Sequence, residues 1–168
     1  MKKNKTSKNW LRKKHKDLYF KQSKIEGYRS RSAYKLIEIN KKFNLLKKNT
    51  HIIDLGSFPG GWSQVVSKKV TAGKILAIDI KSMDKIKNVD FLNGNFLDDK
   101  FFEKVLLFFS KKFDVVISDM AVNTSGNKAL DSYRTGELCI NAMSLAKKLL
   151  VSDGLGLKNF QISLNHVR

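Results

Sequence analysis

The residues best equipped for chemistry gather in one glycine-rich turn. It reads Asp54-Leu55-Gly56-Ser57-Phe58-Pro59-Gly60-Gly61-Trp62-Ser63-Gln64, directly after the apolar pair Ile52-Ile53. Gly56 and Gly60 permit backbone shapes and close ligand approach that a Cβ would obstruct. Pro59 fixes one torsion in the same turn. The helix that should follow opens with backbone N–H groups that lack intrahelical partners. Counted from Gly56, the spacing is G-x-x-x-G-G, which is neither the dinucleotide fingerprint G-x-G-x-x-G nor a P-loop with its Gly-Lys-Ser/Thr. The turn suits a nucleoside-bearing ligand without demanding a pyrophosphate.

Three more polar residues fall where neighbouring strands should end. Asp79 closes Lys74-Ile75-Leu76-Ala77-Ile78, and a carboxylate there can accept hydrogen bonds from both ribose hydroxyls of a nucleoside. Asn95 follows the third strand and is placed to touch the base edge. Asp119 follows Val115-Val116-Ile117-Ser118 and should emerge on the same face. Asp54 either faces an amine or sulfonium or steadies the loop. No lysine sits inside the turn to neutralise phosphates, which favours S-adenosylmethionine over ATP or NAD. A lysine paired with Asp119 would complete a reaction centre, and Lys35 and Lys158 are both candidates.

These side chains need a scaffold, and the pattern supplies one. Apolar runs at 51–55, 74–79, 89–92 and 113–119 read as strands. Between them, 61–70, 100–110 and the stretch through Leu138, Ala142, Leu145 and Leu149 have helical spacing. In the helix at 100–110, Phe101, Phe102, Val105, Leu106 and Phe109 make one bulky side. A further helix spans 30–43, with Ser30 as its cap and Ala33, Leu36, Ile37 and Phe43 on its apolar face. The alternation predicts an α/β fold whose mainly parallel sheet is covered on both faces. A fifth strand is expected to begin at Leu155-Gly156-Leu157, with Lys158 just after it. The tail from Gln161 is left as a short edge strand or a frayed end.

Composition narrows the setting. The chain has 168 residues, of which 42% are hydrophobic, enough for one well-formed core. Its single cysteine, Cys139, excludes an intrachain disulfide and any cysteine-built zinc site, and no metal is expected. The absence of a long apolar run or a secretory h-region points to a cytoplasmic protein away from membranes. Residues 1–50 hold 17 basic and 3 acidic residues, so most of the net charge of +18 is concentrated there. Such a block suits a polyanion, and its few large apolar residues favour nucleic acid over lipid. The expected organisation is a basic RNA-binding arm over 1–29 and a catalytic domain over 30–168.

Taken together, the chain resembles the FtsJ-type ribosomal RNA 2′-O-ribose methyltransferases. The resemblance runs through Gly27-Tyr28-Arg29-Ser30-Arg31-Ser32-Ala33-Tyr34-Lys35-Leu36, the turn at 54–64, Ser118-Asp119-Met120-Ala121 and Lys158-Asn159-Phe160-Gln161. It implies a Rossmann-like domain that uses S-adenosylmethionine and acts, as a monomer, on a uridine of 23S rRNA in the large ribosomal subunit. The family's lysine–aspartate–lysine set would fall on Lys35, Asp119 and Lys158. Its cofactor pocket would include Asp54, Gly56, Pro59, Gly60, Trp62, Asp79, Asn95 and Asp119.

This sequence departs from the family pattern in four places. Gly-Ser-Phe-Pro replaces Gly-Ala-Ala-Pro, setting bulky Phe58 beside the pocket. Asn95 stands where an aspartate is usual, and Val122 where a proline is usual. The family pattern continues beyond Arg168 through a helix and two strands, one bringing a glutamate to the active site. No glutamate follows Glu137, so the expected sheet lacks its last strands. The alternative to an active enzyme is therefore a catalytically impaired RNA-binding remnant of the same family.

Overall fold

A computed structural model describes residues 18–108, 112–120 and 125–150, and the backbone of 160–162. In chain order the elements are α1 (18–25), α2 (Ala33–Phe43), β1 (Ile52–Leu55), α3 (Gly61–Lys69), β2 (Ile75–Asp79) and β3 (Asp90–Asn93). They continue with α4 (Asp99–Phe108), β4 (Val115–Ser118), α5 (Lys128–Leu149) and β5 (Phe160–Ile162). All four pairings in the sheet are parallel and its order is β3-β2-β1-β4-β5. The chain leaves β1 for β2 on one side and later returns to β4 on the other. That reversal opens a crevice at the carboxyl ends of β1 and β4, where ligands bind in sheets of this kind.

The period of two in each strand sorts its side chains into two cores. Ile52, Ile75, Ala77, Val115 and Ile117 join Ala33, Leu36, Trp62 and Val66 on one face. Ile53, Leu55, Leu76, Ile78 and Val116 pack with Val105, Leu145 and Leu149 on the other. Every residue of β1 is buried, as a strand covered on both faces requires. Truncating Ile53, which has no exposed surface, would cost about 2–5 kcal/mol because a covered sheet cannot collapse into the void.

Two expectations need correction. The second helix starts later than Ser30: its N-cap is Ser32, whose side chain makes no capping bond, while the Ser30 and Ser32 hydroxyls lie 2.7 Å apart. Phe43 and Leu106, which helical spacing puts on apolar sides of their helices, are 54% and 46% exposed. Phe43 ends its helix, and Leu106 lies beside, rather than on, the stripe centred on Val105. Among the described residues the fifth strand spans Phe160–Ile162, with Phe160 paired to Val116 and Ile162 to Ser118. The start expected at Leu155-Gly156-Leu157 lies outside the described residues. Phe109, Val122, Lys158 and residues 1–17 lie outside the described residues.

Candidate active site

The site is built from strand ends. Asp54 is the third residue of β1, Asp79 ends β2, Asn95 stands two residues past β3, and Asp119 follows β4. In a parallel sheet these positions share one edge, so four separate segments reach a common crevice. A cavity of about 350 Å³ there is lined by Gly56, Phe58, Asp79, Asn95, Asp119 and Met120, with Phe96, Leu97 and Leu138 among its apolar walls. A much smaller recess of about 30 Å³ adjoins it and is lined by Ser30, Ser32, Asp54, Ser57, Pro59 and Trp62, among others. Gly56, Phe58 and Asp119 border both spaces.

The two conspicuous glycines of the turn do different things. Gly56 has φ of +71°, and a Cβ there would run into the Met120 side chain. Its bare backbone lets β1 and the residue after Asp119 approach each other. Gly60 has φ of +106°, and a Cβ would meet Met83 Sδ at 2.7 Å and Ile86 Cδ1 at 2.8 Å. It lines neither of the two spaces, so its smallness serves packing beneath the loop.

Asp54 is buried and accepts a 2.6 Å hydrogen bond from the Ser63 hydroxyl. Burial pushes its carboxyl up to about 7, and the negative charges of Asp119 and Asp79 push in the same direction. Of the two roles open to it, loop support is directly visible: it ties the end of β1 to the first turn of α3. Asp79 accepts from the backbone N–H groups of Phe58, at 2.9 Å, and Lys81, at 2.8 Å. Two N–H bonds leave acceptor capacity on a carboxylate, which can take about four. Asn95 lines the cavity, and its Oδ1 accepts the Leu97 N–H at 3.0 Å. An amide oxygen has two lone pairs, so one acceptor site remains beside two N–H donors.

Lys35 pairs with Asp119, its Nζ 3.0 Å from Oδ1; the other candidate, Lys158, lies outside the described residues. Several contacts deliver Lys35 from the far side of the sheet. Trp62 Nε1 donates to the Ser32 carbonyl at 2.9 Å, fastening the start of α2 to the start of α3. Gln64 accepts from the Arg29 N–H at 2.7 Å and donates to the Gly27 carbonyl at 3.0 Å. The Arg29 guanidinium donates to the carbonyls of Asp84 and Lys85 at 2.8 and 3.1 Å. Residues 27–35 are in this way moulded onto the glycine turn. Trp62 also belongs to the core, being only 3% exposed.

Ser57 was not singled out by its sequence, although it sits inside the motif. Its hydroxyl is buried without a hydrogen-bond partner and borders the small recess. An unmatched buried hydroxyl costs about 1–3 kcal/mol unless a ligand supplies the bond. Lys81, which follows Asp79 closely, and Leu138, inside α5, are further wall residues that no motif marked. A polar ligand end beside Ser57 and Asp54, joined to a nucleoside in the larger cavity, matches S-adenosylmethionine in chemistry. Among the described residues no group of three or more His, Cys, Asp or Glu could hold a metal.

The profile of FtsJ-like methyltransferases matches residues 28–164. This chain belongs to that family. It is therefore a methyltransferase that takes S-adenosylmethionine, and the parallel sheet with flanking helices is the Rossmann-like fold of such enzymes. It is 49% identical over 154 residues to the ribosomal RNA large subunit methyltransferase E of Pelagibacter ubique, covering 92% of this chain and 76% of that one. The protein of the same name from Acinetobacter baylyi is 45% identical over 152 residues, covering 89% and 70%. A Plasmodium falciparum crystal structure, solved under the description of a ribosomal RNA methyltransferase, superposes with a TM-score of 0.69 at 38% identity. It covers 74% of this chain and 73% of its own.

Proposed function

We propose that this chain transfers a methyl group from S-adenosylmethionine to the 2′-hydroxyl of a uridine in 23S rRNA of the large ribosomal subunit. The Lys35–Asp119 ion pair carries the reading, because Asp119 borders both spaces of the cofactor site and Lys35 lies within the span that matches the family. S-adenosylmethionine supplies an already activated methyl on a sulfonium, so the protein's task is to position and activate a hydroxyl. Lys35 Nζ, held at 3.0 Å by Asp119, can donate a hydrogen bond to the ribose oxygen and stabilise negative charge as it develops there. Lys158 is proposed, from its place in the family motif, as the group that activates the same hydroxyl by accepting its proton or stabilising its oxyanion. Asp79 orients the cofactor ribose, and the walls formed by Phe96, Leu97 and Leu138 exclude water from the nucleoside.

The RNA is held by charge in this reading. Residues 1–29 form a basic arm that follows phosphates, and the enzyme works as a monomer in the cytoplasm, where ribosomal particles assemble. No helix among the described residues is long and apolar enough to cross a membrane. Ribosomal particles lacking the modification, incubated with methyl-labelled S-adenosylmethionine, test the proposal. Label should enter large-subunit rRNA, and Lys35→Ala, Asp119→Ala and Lys158→Ala should each lower single-turnover transfer by more than they weaken cofactor binding. Full transfer by all three variants would refute the assignment.

A further inference from the structure

Phe58 stands out because a bulky ring at this point of the turn is unnecessary for the fold. Its side chain is 46% exposed and belongs to neither core. Its backbone is nevertheless fixed, since the Phe58 N–H donates to Asp79 Oδ2 at 2.9 Å. Phe58 borders both the nucleoside cavity and the small recess, a property it shares with Gly56 and Asp119. A cofactor with its nucleoside in the cavity and its amino-acid end in the recess must pass between these three residues. In S-adenosylmethionine the atom joining those two ends is the positively charged sulfur.

Resting on the cofactor reading above, we propose that Phe58 is a charge-reading residue. Its ring face attracts the sulfonium of the methyl donor and loses that attraction once the methyl has left and the sulfur is neutral. The face of an aromatic ring is the negative end of its quadrupole, so a cation gains there what a neutral thioether does not. Gly56 offers no side chain at this border, and Asp119 already shares its charge with Lys35 at 3.0 Å. The ring is thus the border element whose contribution differs most cleanly between donor and product.

The same geometry contains a competitor. Lys81 Nζ lies over the Phe58 ring, 5.2 Å from its centroid, and Lys81 also lines the cavity. A resident ammonium partly satisfies the ring and repels a second cation. Lys81 should therefore temper the donor preference that Phe58 creates, which eases exchange of substrate for product. The two residues act in opposite directions on one ratio.

Calorimetry on the full chain tests this, with S-adenosylmethionine and S-adenosylhomocysteine titrated separately. Removing the ring in Phe58→Leu should reduce the donor-over-product affinity ratio by about two- to five-fold, the size of a partly exposed cation–π contact. Phe58→Tyr should keep the ratio, and Lys81→Met should raise it. Thermal melting of each variant establishes that it is folded, and the Lys81 arm decides the matter if Phe58→Leu does not fold. Binding of both ligands with a ratio unmoved by Phe58→Leu, or lowered by Lys81→Met, would overturn the inference while leaving the cofactor site intact. Failure of the folded wild-type protein to bind either ligand would overturn the cofactor assignment and this inference with it.

Discussion

Asp54→Asn should make the protein more resistant to rising pH. Asp54 is 1% exposed, and burial raises its carboxyl from the ordinary 3.8 to about 7. Each unit of such a shift corresponds to about 1.4 kcal/mol, so ionising this group in the folded state costs roughly 4 kcal/mol relative to the unfolded chain. A raised carboxyl pKa contributes its stability below the unfolded value and loses it as pH climbs through the folded one. The loss should therefore accumulate between about pH 4 and pH 7 and level off above about pH 8. Asparagine cannot ionise, yet its side-chain oxygen can still accept the Ser63 hydroxyl that sits 2.6 Å from Asp54. Urea unfolding of both proteins across this pH range isolates the effect, because every other titrating group is common to the pair. The difference in unfolding free energy should move in favour of Asp54→Asn by up to about 4 kcal/mol, a large part of a typical domain's total. Parallel stability profiles for the two proteins would refute the reasoning.

Asp54 also borders the recess where the cofactor's amino-acid end is placed, so a bound cation should favour its ionised form. Below about pH 7, calorimetry in buffers of different ionisation enthalpy should report proton release on S-adenosylmethionine binding, absent in Asp54→Asn. Asp79→Ala should weaken cofactor binding by roughly 10- to 100-fold, the loss of charge-assisted hydrogen bonds to ribose, and unchanged calorimetric affinity would remove that role. Removing residues 1–17 should lower RNA affinity and flatten its dependence on salt in a filter-binding assay, while leaving cofactor affinity alone. The cut is placed before Leu18 because the Tyr19 hydroxyl donates to Glu38 at 2.7 Å and stacks on Tyr34, tying α1 to α2.

Local pattern was enough to place most of the scaffold. Continuous apolar runs marked β1, β2 and β4 because a strand covered on both faces has no polar side to show. The carboxylates were legible because strand ends in a parallel sheet share one edge, so position in sequence translates into position in space. Pairing was less so. That Lys35 meets Asp119 follows from the packing of α2 through Trp62 and Arg29, which no local pattern in the chain displays. The orientation of Asn95 depends on the Leu97 N–H, a contact between near neighbours that residue type alone does not fix. Leu138 reached the cavity wall from inside a 22-residue helix, and nothing in its own neighbourhood signals a ligand.

The position of the methyl group on the product tests the central claim most directly. Large-subunit particles lacking the modification are incubated with this protein and S-adenosylmethionine, and their rRNA is digested to nucleosides for mass spectrometry. The account predicts a single new 2′-O-methyluridine, with the added mass retained on the ribose fragment. A methyl group on a base, or modified particles whose ribose remains unchanged, would contradict it.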